Sequence, residues 1–78
     1  MYIPIIDSKL TGQKITFLRI RSGLSVCELQ ELLGFATPQA IYKWQRGETL
    51  PSLESLAALS CIWNVPINEI LAVECRAG

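Results

Sequence analysis

The sequence predicts an all-α fold, a compact bundle of four to five helices preceded by a short extended N-terminal arm. Apolar residues recur at helical spacing in several stretches, for example Leu29, Leu32 and Leu33. Capping residues bracket those stretches, with Ser, Thr or Asp before them and Gly or Asn after them. The chain has 78 residues, of which 50% are hydrophobic, so it suits one domain with a modest core.

Residues 1–7, MYIPIID, are apolar, β-branched and broken by one proline, and read as an extended arm folding onto helix 1 or a partner. Helix 1 is predicted from residue 7 or 8 to 22, with Ile15 and Leu18 pointing inward and Gly23 ending it. Helix 2 covers about 26–33. Ser25 caps it, Glu28 three residues on completes a capping box, and Gly34 marks its exit. Helix 3 covers about 38–46, with Thr37 as N-cap, Pro38 at the first helical position and Gly47 as the left-handed stop. Ile41 and Trp44 form its inner face. Its outer surface offers Gln39, Tyr42, Lys43 and Arg46, side-chain types that reach base edges and phosphates. Residues 25–47 thus spell two short helices joined by a tight turn, a helix-turn-helix.

Helix 4 follows Pro51 and Ser52, carries an apolar stripe of Leu53, Leu56, Leu59, Ser60 and Trp63, and ends at Asn64. A short helix 5 starts at Pro66 and is anchored by Ile70 and Leu71, leaving 73–78 as a frayed tail. The expected organisation is therefore an arm at 1–7, a helix-turn-helix domain at 8–72 and a tail at 73–78.

The composition argues against several function classes. Histidine is absent, and Cys27, Cys61 and Cys75 lack the close spacing of a zinc site, so no metal is expected. Cys27 and Cys61 read as small apolar residues within helices, and Cys75 as a thiol in the tail. No nucleophile has a histidine base, and no phosphate loop or paired carboxylates stand out, so neither an enzyme nor a cofactor is expected, and no small-molecule substrate is evident. No run has the length of a membrane span and nothing at the amino terminus reads as a signal peptide, which places the chain in the cytoplasm.

Net charge is zero, yet it is unevenly placed. Residues 9–46 hold six cations against two anions, net +4, and the remainder balances them. Such a dipole orients a protein on an anionic polymer. The mean hydropathy of +0.32 leaves apolar side chains to spare, Phe17 and Ile20 among them, and points to a contact surface.

Three segments, GQKITFLRIRSGLS, ELLGFATPQAIYKWQRGETLPSLESLAALS and NVPINEIL, resemble the Cro and phage-repressor-like helix-turn-helix regulators, the XRE family, especially its small Gram-positive versions. The resemblance spans nearly the whole chain. It implies that helix 3 enters the major groove and that the start of helix 2 touches the DNA backbone. Carried over by position, it puts Gln39 and Lys43 on base edges, with Tyr42 on a base or phosphate and Pro38 offering an apolar face to a thymine methyl. It puts Ser25, Arg46, Thr49 and Lys14 on phosphates.

Three departures qualify the docking. Val26 replaces a glutamine that steadies the recognition helix in relatives. Gln30 stands where a small residue is usual, and the turn from Gly34 to Ile41 is one residue longer than in the shortest phage repressors, which would swing helix 3 to admit the glutamine. Gln45 replaces a glutamate that pairs with the helix 1 arginine, here Arg19, so that bond is expected to join a neutral group to a charged one. The expected function is a sequence-specific transcriptional regulator, a repressor that binds double-stranded DNA as a homodimer. The alternative is a protein-interaction module, an antitoxin or co-regulator with weak DNA affinity.

Overall fold

Local capping chemistry sets the helices, and a long-range strand pairing closes the chain. The computed structural model describes residues 1–77. In order, it contains β1 (Tyr2–Ile6), α1 (Ser8–Arg21), α2 (Val26–Leu33), α3 (Gln39–Arg46), α4 (Leu53–Trp63), a single 3-10 turn (Ile67–Glu69) and β2 (Val73–Ala77). The Asp7 carboxylate accepts from Leu10 N–H at the start of α1 (2.9 Å), and Ser52 Oγ accepts from Ser55 N–H at the start of α4 (3.1 Å). Asn64 ends α4 in the left-handed conformation, as expected.

The all-α expectation is corrected by β1 and β2, which form a two-stranded antiparallel ribbon running from Tyr2↔Ala77 to Ile6↔Val73. The expected arm is one strand and the expected frayed tail is the other; position 78 of that tail lies outside the described residues. Ile3, Ile5, Ile6 and Val73 favour this extended backbone through their branched Cβ. The ribbon is tied to the bundle at Thr11, a buried polar residue. Its hydroxyl donates to Asp7 O (2.7 Å) and accepts from Ala72 N–H (3.0 Å), while Asp7 N–H donates to Ala72 O (3.0 Å). Helix 5 is likewise corrected to the 3-10 turn, which follows Pro66 and delivers Ile70 into the core.

Ile15 and Leu18 of α1, Leu29 of α2, Ile41 and Trp44 of α3, Leu56 and Leu59 of α4, and Ile70 make the core. Phe35 meets the Trp44 ring edge-on, with centroids 5.7 Å apart. Two leucines assigned to apolar stripes lie outside it: Leu32 and Leu53 are exposed by 58% and 78%. A helix of two or three turns presents only part of its circumference to the core, and Leu29 and Leu56 already fill that part. Cys27 and Cys61 are also exposed rather than packed.

Helix α1 approaches α3 so closely that Gly12 leaves no room for a side chain. A Cβ there would lie 2.2 Å from the Trp44 carbonyl oxygen and 2.9 Å from that of Gln45. Gly12→Ala is therefore expected to lower stability to urea by about 1–3 kcal/mol through overpacking. That is the reverse of the gain of roughly 1 kcal/mol that alanine brings to an exposed helix interior. An unfolding midpoint at or above the parent's would contradict this close approach.

Candidate nucleic-acid interface

The turn between α2 and α3 is built from its own side chains. Ser25 and Glu28 form the reciprocal capping box: Ser25 Oγ accepts from Glu28 N–H and Glu28 Oε1 accepts from Ser25 N–H, both at 3.0 Å. At the other end of α2, Gln30 Nε2 donates to Phe35 O (3.1 Å), so the long side chain is used to hold the longer turn. Helix α3 begins one residue later than expected. Pro38 itself occupies the N-cap position, its carbonyl accepting from Tyr42 N–H (3.2 Å), and Thr37 makes no cap bond. Proline needs no partner for an amide it lacks, so the chain turns into the helix without the threonine.

With Ile41 and Trp44 buried, Gln39, Tyr42, Lys43 and Arg46 share one exposed face at i, i+3, i+4 and i+7, as expected. Pro38 borders it, half-buried. Arg19 fixes the orientation of that face: its Nε donates to Gln45 Oε1 (2.9 Å) and its Nη1 to Leu24 O (3.0 Å). The neutral-to-charged bond expected from Gln45 is the one observed. Past the helix, Gly47 adopts positive φ and Glu48 N–H closes back on Lys43 O (2.9 Å). This turn sets Glu48 against Arg46 in an exposed ion pair and leaves Thr49 exposed beside them.

The structure brings Ser25 to the start of α2 with its hydroxyl engaged by Glu28. It does not bring Lys14 to the α3 face. Lys14 is two residues on from Gly12, hence on the opposite side of α1, where it lines a groove with Phe17, Asn68 and Glu69. The cation at the α3 end is Lys9, whose backbone lies against Gly47: a Cβ on that glycine would meet Lys9 Cα at 2.9 Å. Sequence reasoning missed it. The available signal was its spacing of three residues from Gly12, which places both on the side of α1 that meets α3.

A family model described as helix-turn-helix matches residues 15–70, which take in α2, α3, α4 and the second half of α1. The chain belongs to the helix-turn-helix family. It is 35% identical over 63 residues to the HTH-type transcriptional activator BcrR of Enterococcus faecalis, an alignment covering 81% of this chain. The chain spans 30% of that relative's length. Among solved structures, the restriction-modification controller protein C.AhdI from Aeromonas hydrophila superposes with a TM-score of 0.73 at 26% identity, covering 82% of this chain and 96% of its own. The DNA-binding domain of BldD gives a TM-score of 0.69 at 26% identity, covering 83% of this chain and 93% of that one. Among the described residues, no helix is long and apolar enough to cross a membrane.

The one perturbed ionisation at this interface is that of Glu28, whose carboxyl is held below its ordinary value, first by the Ser25 backbone N–H and then by the Ser25 hydroxyl. A depressed carboxylate contributes stability above its unfolded pKa and loses it as pH falls through the folded value. Against Glu28→Gln, the parent is expected to be the more stable at about pH 6 and to lose that advantage by about pH 3. A gap that is the same at both pH values would show that the box does not depend on the charge.

Proposed function

We propose that this domain is a sequence-specific DNA-binding transcriptional regulator that lays α3 in the major groove, and that it represses by occupying its site. The observation that carries the reading is the exposed Gln39, Tyr42, Lys43 and Arg46 face, fixed against α1 through Gly12 and Arg19. Gln39 suits adenine N6 and N7, and Lys43 suits guanine O6 and N7. Tyr42 lies between them, and Pro38 turns an apolar face toward a thymine methyl. The family match and the regulators similar in sequence and fold support this reading. The site is cytoplasmic DNA, the action needs no cofactor, and two copies act together on a palindrome. One recognition helix reads a single half-site, whereas twofold pairing sets two of them about 34–36 Å apart along one face of the duplex.

Arg46, Thr49, Ser25 and Lys9 make the phosphate footprint in this reading, with Lys9 taking the part first given to Lys14. A second reading, a module that holds a protein partner, is favoured by Leu10, Phe17 and Ile20, which leave 43%, 61% and 64% of their surface exposed on α1. Selection of bound duplexes from a random library separates the two readings, since a protein-holding module enriches no sequence.

Gln39→Ala and Lys43→Ala are each expected to relax preference at one base position, at a cost of about 1–3 kcal/mol in binding that site. If both leave the selected sequence unchanged, α3 does not read the bases. Arg46→Ala and Lys9→Ala are expected to weaken binding to all sequences alike, and each to reduce the slope of log affinity against log salt by about one. Lys14→Ala is the control, expected to leave the slope as it was.

A further inference from the structure

The two edges of the ribbon differ in what their backbones offer. Asp7 N–H donates to Ala72 O, and the register continues this pairing through Ile5↔Glu74 and Ile3↔Arg76. Antiparallel ladders alternate, so those pairs exchange hydrogen bonds, while Pro4 and Cys75, opposite each other between them, direct their backbone groups away from the ribbon. Pro4 has no N–H to offer, and the outer edge of β1 lacks its central donor. The outer edge of β2 is complete, with the N–H and C=O of Val73, Cys75 and Ala77 all turned outward. One edge is closed to further pairing and the other is open.

We propose that the open edge of β2 joins two copies of this chain, β2 against β2 and antiparallel about a twofold axis through Cys75, in a sheet ordered β1-β2-β2-β1. The inference rests on the dimeric reading above and names its interface. The occupant follows from the order of charges in Val-Glu-Cys-Arg-Ala. Laid antiparallel on itself about Cys75, this strand sets Glu74 opposite the partner's Arg76 and Arg76 opposite the partner's Glu74, on the same face. A strand of unrelated sequence has no such match, whereas a second copy makes it twice. Tyr2, Pro4, Ile6, Val73, Cys75 and Ala77 occupy the other face of the ribbon, and all are exposed. Pairing makes this one continuous apolar face across four strands, where two strands alone are marginal.

Sedimentation of the full chain at micromolar concentration tests this, with helical circular dichroism as the check on folding. The parent is expected to be a dimer. Glu74→Arg sets like charges across the axis twice and is expected to weaken the dimer by about tenfold or more. The double variant Glu74→Arg with Arg76→Glu restores opposite charges and is expected to recover it. Cys75→Pro removes an N–H that the ribbon itself does not use, and is expected to give a folded monomer. A parent dimer that survives Glu74→Arg and Cys75→Pro unchanged overturns pairing through β2 while leaving the dimeric regulator intact. A parent that is monomeric both free and on DNA overturns the dimeric reading and this interface with it.

Discussion

The close approach of α1 to α3 is the constraint on which the rest of the structure depends. Gly12 rests on the backbone of Trp44 and Gln45, and a side chain as small as a methyl has no room there. Because that contact is made by backbone, α3 has little freedom to slide or roll, and Trp44 is held where Phe35 meets it edge-on. Arg19 then joins three pieces through two bonds, reaching Gln45 on α3 and the Leu24 carbonyl between α1 and α2. The exposed face of α3 is presented by this framework rather than by its own short helix, since eight residues form a marginal helix alone.

How much of this was legible follows from how local each signal is. Asp7, the Ser25 and Glu28 box, Ser52 and Asn64 act within three or four residues, and their helices start or end where the residues indicate. The ribbon was not legible. Its strands are separated by the whole domain, and the bond that seats them joins Thr11 to Ala72, which no short window contains. Leu32 and Leu53 show a different limit, since periodicity finds apolar residues without saying which side of a short helix meets its neighbours. The α3 face was read correctly because Ile41 and Trp44 fix its inner side. That Lys9 rather than Lys14 borders it was not legible, because it requires knowing which side of α1 holds Gly12.

The electrostatics of the proposed interface explain how a chain of zero net charge suits an anionic polymer. Anions of its own already occupy part of it: Glu48 lies against Arg46, and Glu28 caps the start of α2. The first is an exposed pair, of the kind worth about 0–1 kcal/mol, so a phosphate displaces Glu48 at small cost. The Glu28 carboxylate is different, because it accepts a backbone N–H that would otherwise lie unpaired, and it remains in place when an anion approaches.

This built-in neutralisation limits what one copy gains from backbone contacts, since affinity for the duplex rises with the number of phosphates neutralised. In the proposed function, a domain of this design binds indifferent DNA weakly, and its discrimination falls to the base edges that Gln39, Tyr42 and Lys43 would reach. Two copies held at fixed spacing change that balance. The second recognition helix then engages at the effective concentration set by the first, and contacts too weak to hold singly add on one duplex. The same economy holds in the proposed ribbon pairing, where Glu74 and Arg76, an exposed ion pair within β2, add nothing to the net charge and would order the strand against its own copy. In the proposed dimer, neutrality and pairing are thus two sides of one arrangement, in which specificity comes from geometry repeated about an axis rather than from charge.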